Sequence, residues 1–352
     1  MRRVFLVVAA AALLAVRVPV HAADDFLYSR FGDYLDALRT QTGIPGLAAA
    51  IVGKNDILWA DGFGYQDVER AIPIRTDTPM QLDGIPEVLT ASLVLECVDD
   101  GHLSLDDRIG QFKASSPDAD ATIRQVLTHT SGSSANPVYD YRPERIDALS
   151  AAVRSCTDDS YRETLANQFD RLAMSDSVPG LDVLDLVPPA EGVLKSEFER
   201  YSRVLKRLAI PYTVDSRRKA KPSKYSATTL TPSSGAIATV EDMAEFDLAL
   251  KDGELVRPGT LADAWRAPTN ADGQRLPHGI GWFVQTFNGE SVVWQFGSEE
   301  NGSSSLMITL PSRGLTLVLL ANSNGLAKSL DLRSGDVTVS PFGRLFLGTF
   351  IR

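Results

Sequence analysis

The chain has 352 residues, 44% hydrophobic and 23% charged, enough apolar material for a large core in one domain or two intergrown ones. It carries 45 acidic and 35 basic residues, a net charge of −10. That balance speaks against a nucleic-acid partner, and the composition excludes disorder, collagen, a coiled coil or a repeat array.

Met1–Ala22 reads as a signal peptide. Arg2 and Arg3 open it, Val4–Val16 is an apolar run, and Val20-His21-Ala22 gives a small-residue cleavage site. The run is short for a membrane span, which needs about 20 residues. No later stretch reaches that length without charges, so the expectation is an exported protein without a transmembrane span after cleavage, in a bacterium a periplasmic one. Removal takes three arginines and no acid, leaving 45 acidic against 32 basic residues.

Asp25–Thr42 has helical spacing and stops at Gly43-Ile44-Pro45-Gly46. Leu47–Val52 and Ile57–Tyr65 flank a turn at Lys54-Asn55-Asp56 and read as a hairpin. Glu87–Asp100 is a predicted helix ended by Gly101. Ala121–Met174 is mostly helical, interrupted at Thr130–Ser134. Pro188–Pro232 is less regular, with a helical stretch near Leu194–Ala209. Val240–Lys251 follows as a helix capped by Thr239. Strands then dominate: Gly279–Phe287 and Ser291–Phe296 around Asn288-Gly289-Glu290, then Ser303–Leu310 and Leu315–Ala321 around Pro311–Gly314. Pro341–Arg352 closes as a helix. The fold class is α+β: an antiparallel sheet from both chain ends, about 23–83 and 235–352, with a helical region inserted at about 84–234.

Cys97 and Cys156 are the two cysteines. An oxidising compartment permits a bridge, but both fall in predicted helices where free buried cysteine is common, which is the expectation here. His102, His129 and His278 are far apart in sequence, no cluster has metal-site spacing, and no cofactor is implied.

Several stretches resemble the serine β-lactamase and penicillin-binding-protein family. They are Thr42–Leu47, Gly62–Glu69, Gly101–Asp107, Ile123–Gly132, Gly235–Met243, Gly279–Trp282 and Leu319–Asn322. In order and spacing they cover most of the chain. The family places a Ser at a helix start with a Lys three residues on, on one helix face, so that the amine can take the hydroxyl proton. Counting back from Gly101–Asp107, the resemblance puts the Ser at Gly84 and the Lys at Glu87. Gly84 has no side chain, so the nucleophile is absent. An ordinary helix start also accounts for these residues: Asp83 or Gly84 caps, Pro86 fits the first turn, and Glu87 reaches back as a capping-box carboxylate.

The family's Tyr-x-Asn falls on Tyr141-Arg142-Pro143, with Tyr141 as the tyrosine and Pro143 replacing the Asn. Tyr141 reads equally well as a half-buried packing residue. The third motif falls on Gln295-Phe296-Gly297, on an expected edge strand. Gln295 cannot supply the positive charge of the family's Lys or His. Trp294 and Phe296 read as packing residues.

Two strings are decoys. Ser216-Arg217-Arg218-Lys219 has no apolar helix behind it, and Tyr225-Ser226-Ala227 sits in the irregular linker. The resemblance therefore implies a catalytically inactive protein whose cleft binds a small molecule or peptide, cationic or neutral if Glu87 faces it. The alternative is a hydrolase with a relocated nucleophile or a Glu87-activated water. Acylation of a Gly84→Ser/Glu87→Lys double variant would show an intact scaffold around a disabled centre. Oligomeric state is left open.

Overall fold

Two stretches of strand-forming sequence, separated by about two hundred residues, build one sheet. The computed structural model describes residues 20–132, 137–185, 195–299, 301–328 and 330–351. Near the start, β1 (Gly46–Val52) and β2 (Ile57–Asp67) form the expected hairpin, and β3 (Ile72–Pro73) adds a short edge. The two-residue β4 (Met80–Gln81) leads to α2 (Pro86–Asp99).

The later strands are β8 (Phe283–Phe287), β9 (Glu290–Ser298), β10 (Ser304–Leu310) and β11 (Leu315–Ala321). Sheet order is β3-β2-β1-β11-β10-β9-β8, every neighbouring pair antiparallel. Strands β1, β10 and β11 are buried almost throughout, because helices cover both faces of the sheet.

On one face, α1 (Val20–Thr42) and α9 (Pro341–Phe350) pack Phe31, Leu35, Phe342 and Phe346 against Ala49, Ile51 and Leu319. On the other, α2 and α7 (Val240–Asp252) pack against Ala48, Ala50, Val318 and Leu320. As the sequence suggested, the Thr239 side chain caps α7 by accepting the Asp242 N–H at 3.0 Å. Helix α8 (Pro258–Ala264) packs on α2.

The stretch expected to be mostly helical resolves into α3 (Ile123–Leu127), a 3-10 turn (Pro143–Ala148), α4 (Leu149–Thr157) and α5 (Tyr161–Arg171). Of the stretch near Leu194–Ala209, α6 (Lys195–Leu205) is the helical part. Two small strand pairs escaped the sequence reading: β4 with β7 (Ile237–Ala238), and β5 (Tyr212–Val214) with β6 (Ala220–Pro222). The decoy Ser216–Lys219 forms the turn between β5 and β6, its amides held by Asp215.

Met1–Pro19, most of the expected signal peptide, lies outside the described residues, as do Ser133–Asn136 and Leu186–Leu194. Val20–Ala22 form the first turn of α1. Among the described residues, no helix is long and apolar enough to cross a membrane.

The cysteine expectation is corrected. Cys97 in α2 and Cys156 in α4 are bridged, with Cα atoms 6.1 Å apart. Helix periodicity could not show that α2 and α4 lie side by side.

Candidate functional site

The Gly84 and Glu87 positions lie on one turn but in two different environments. Asp83 and Gly84 both take left-handed backbone, at φ 37° and φ 59°. The turn is held from the sheet side: the Ser305 hydroxyl donates to the carbonyls of Leu82 and Asp83, and the Ser303 hydroxyl donates to the Asp83 carboxyl. Burial pushes the Asp83 carboxyl well above the usual carboxylate range, offset by the Ser303 bond.

This clamp presses the turn onto β9. A β-carbon on Gly84 would run into the Phe296 carbonyl oxygen, and one on Gly297 would overlap the Asp83 carbonyl oxygen. Both positions therefore need glycine. The room a side chain at Gly84 would need is filled by backbone.

The capping expectations fail here. The residue flanking α2 is Ile85, with no side-chain cap, and Asp83 turns to Ser303 instead. Glu87 is fully buried, and its Oε1 accepts from His129 Nε2 at 2.8 Å, with His278 Nε2 at 3.4 Å. Glu87 Oε2 is buried without a hydrogen-bond partner. The two histidines that sequence reasoning left unconnected thus meet the glutamate from α3's end and from the segment before β8. Their rings lie 4.5 Å apart, edge to face.

Neighbouring groups set the tautomers. His129 Nδ1 accepts the Arg142 backbone N–H at 3.2 Å, so its proton sits on Nε2 and points at Glu87. His278 Nδ1 donates to the Gly279 carbonyl at 2.8 Å, so its Nε2 lone pair faces Glu87. Two acceptors 3.4 Å apart, Glu87 Oε1 and His278 Nε2, call for a proton between them. The cluster is neutral when Glu87 holds that proton. Burial accordingly raises Glu87 to about 7, His278 partly offsetting it. Burial lowers both histidines to about 3.

One carboxylate and two imidazoles with ligand atoms within 4.8 Å is also a donor set that suits divalent metals. A metal would need the Nε2 lone pair of His129, hence a proton on Nδ1, where the Arg142 N–H already points. The hydrogen bonding fits protons and not a cation.

Gln295 joins this buried group. Its Oε1 accepts from the Phe296 N–H, and its Nε2 lies 3.4 Å from the Gly281 carbonyl and 3.5 Å from His278 Nε2. Its strand is not at the sheet edge as expected, because the Asn288-Gly289 hairpin adds β8 outside it. The β8 pairing ends at Trp294, so Gln295–Ser298 is unpaired on that side.

Beside this sealed cluster lies a cavity of about 310 Å³. Gly84, Tyr141, Phe296 and Gly297 line it, so the structure brings four sequence-singled positions to one place, while Glu87 and Gln295 stay behind the wall. Tyr141 stacks on Phe296 at 5.6 Å and lies tilted against the His129 ring at 4.6 Å, which makes it a packing residue as well as a wall. Trp294 is fully buried and Phe296 nearly so, as expected of packing residues.

Ser233, Ser234 and Ser298 also line the cavity, and among its described lining residues there is no lysine or histidine to activate them. Tyr225-Ser226-Ala227 is irregular chain, as expected, but it runs beside the cavity. Ala227 lines the cavity, and Glu299 Oε1 accepts both the Ser226 and Ala227 N–H groups at 2.6 Å.

The Beta-lactamase family profile matches residues 31–337. The chain belongs to the beta-lactamase family. It is 25% identical over 315 residues to protein flp of Staphylococcus aureus, covering 80% of this chain and 60% of that protein. It is 31% identical over 140 residues to penicillin-binding protein 4 of Amycolatopsis lactamdurans, 38% of this chain and 36% of the relative. The chain thus spans less than two thirds of either curated relative. Among solved structures, an octameric penicillin-binding protein homologue from Pyrococcus abyssi superposes with a TM-score of 0.72 at 20% identity, covering 91% of this chain and 77% of that one. A class C beta lactamase from Rhodobacter sphaeroides gives 0.62 at 16%, covering 84% and 94%. At these identities the structural likeness speaks for the fold, the β-lactamase/transpeptidase arrangement.

Proposed function

We propose that this chain is a non-acylating member of the family, exported to the cell envelope, that binds a small molecule or peptide in the Gly84–Tyr141 cavity in a binding or regulatory role. The observation that carries this reading is the closure at Gly84: the nucleophile position holds no side chain, and the Phe296 carbonyl occupies the room one would need. In another serine hydrolase, losing the nucleophile or its base costs about a millionfold in turnover. Here both family positions have changed.

A water activated by Glu87 loses its footing, because that carboxyl is sealed from the cavity by burial and its Oε1 is engaged by His129. The preference for a cationic or neutral ligand shifts to other residues. Glu144 and Glu299 line the cavity against one guanidinium, Arg333, and Tyr141 and Phe296 offer aromatic surface. The apolar run and cleavage site in Met1–Ala22 support export.

A turnover screen of the purified chain on nitrocefin and short-chain esters tests the reading. No hydrolysis above the rate of buffer is expected. Turnover that survives repurification would contradict it.

A further inference from the structure

The geometry points to an acid-released tether: protonation of His129 frees the Val138–Arg142 segment, which carries Tyr141, from the wall of the cavity. Two of the hydrogen bonds that hold the segment end on one residue. The Asp140 N–H donates to the His129 carbonyl at 2.9 Å, and the Arg142 N–H donates to His129 Nδ1 at 3.2 Å. A third tie runs from the Tyr139 hydroxyl to the Arg333 carbonyl at 2.8 Å. The His129 ring also supports Tyr141 at 4.6 Å and Tyr139 at 6.3 Å.

Only the Nδ1 bond depends on a lone pair that acid removes. His129 Nε2 already carries the proton it gives to Glu87, so the next proton must go to Nδ1. That turns the acceptor into a donor facing the Arg142 N–H, and the bond becomes a repulsion. Glu87 and His278 do not absorb this proton without cost. The first proton entering the cluster already sits between them, and a second leaves a buried positive charge.

The charged and titratable groups facing His129 are Glu87 from α2, His278 from the segment before β8, and Asp140, Arg142, Glu144 and Arg145 from the chain just beyond it. Tyr139 and Tyr141 stay neutral, both raised above the ordinary phenol range by burial. Burial dominates and holds His129 at about 3 in the closed form, although Glu144, the Arg142 backbone and Asp140 pull it up; Arg145 opposes protonation. An exposed histidine in the open form titrates near 6.5, so acid drives opening. Between pH 7.5 and pH 5 the open population should rise about thirtyfold on that difference.

Hydrogen exchange of the full chain, read by mass spectrometry and corrected for the chemical exchange rate at each pH, tests this. The expected result is a loss of protection confined to residues 138–145 at pH 5, with α2 unchanged. His129→Asn keeps an oxygen acceptor near the Nδ1 position and tolerates the positive φ of 51°, so its protection should not change with pH. Glu87→Gln keeps the acceptor for His129 and should retain the acid response. Should His129→Asn fail to fold, the pH profile of the unaltered chain and of Glu87→Gln still decides. A flat profile, loss of protection spread through α2, or an acid response that persists in His129→Asn would overturn the inference. So would equimolar zinc ion abolishing the acid response, since the cluster would then be a metal site.

Discussion

Gly84 and Phe296 meet backbone to backbone: the Phe296 carbonyl oxygen stands where a β-carbon on Gly84 would go. The Asp83–Gly84 turn is pressed against strand β9 and fastened by Ser303 and Ser305.

Gly84→Ala should therefore destabilise the fold. The left-handed φ of 59° costs a residue with a β-carbon about 1–2 kcal/mol, and the collision with Phe296 adds to it. Urea denaturation should show a loss of about 2–4 kcal/mol with an unchanged slope. The Gly84→Ser/Glu87→Lys double variant meets the same collision and also buries an ammonium beside two histidines. It is expected to lose stability without gaining acylation, and a combined melt and penicillin-labelling assay reads both outcomes.

Glu87→Gln should change how stability depends on pH. The Glu87 carboxyl is raised to about 7 from an ordinary 4.5. Its protonated form contributes stability that is fully present below pH 4.5 and lost as pH rises through 7, in all about 3 kcal/mol. Glutamine mimics the protonated acid at every pH. The variant should match the natural chain near pH 5 and exceed it at pH 8.5, as measured by denaturation at the two pH values.

The histidines act in the opposite direction. Both are lowered to about 3, so the unfolded chain takes up protons near 6.5 that the folded cluster refuses. Stability should fall as pH drops from 6.5 toward 3, and replacing His278 by Gln should flatten that slope in a thermal-melt series.

The Cys97–Cys156 bridge closes a sequence separation of 59 residues between α2 and α4. Loop-closure entropy sets its contribution at about 4 kcal/mol. The folded chain should show no free thiol to a thiol reagent, and a Cys97→Ser/Cys156→Ser variant should unfold at a clearly lower urea concentration.

The sheet was legible because its hairpins carry turn residues such as Asn288-Gly289 and its strands carry long apolar runs, and α7 because Thr239 caps it. Gly84, Tyr141 and Gly297, which ordered motifs single out in the sequence, line one cavity. The buried cluster could not be found that way. Glu87, His129 and His278 come from three separate segments, and only the packing of α2 against the Gly281 turn brings them together. Glu87 was misread for a local reason: its position three residues after Gly84 suits a capping box, and nothing in the sequence says that its carboxyl points inward. The disulfide was missed for the same lack of any local trace.

Intact-mass spectrometry after incubation with a penicillin and, separately, with a fluorophosphonate tests the central claim most directly. The unaltered chain should keep its mass with both reagents. A stoichiometric adduct mapping to any serine at the cavity would contradict the account.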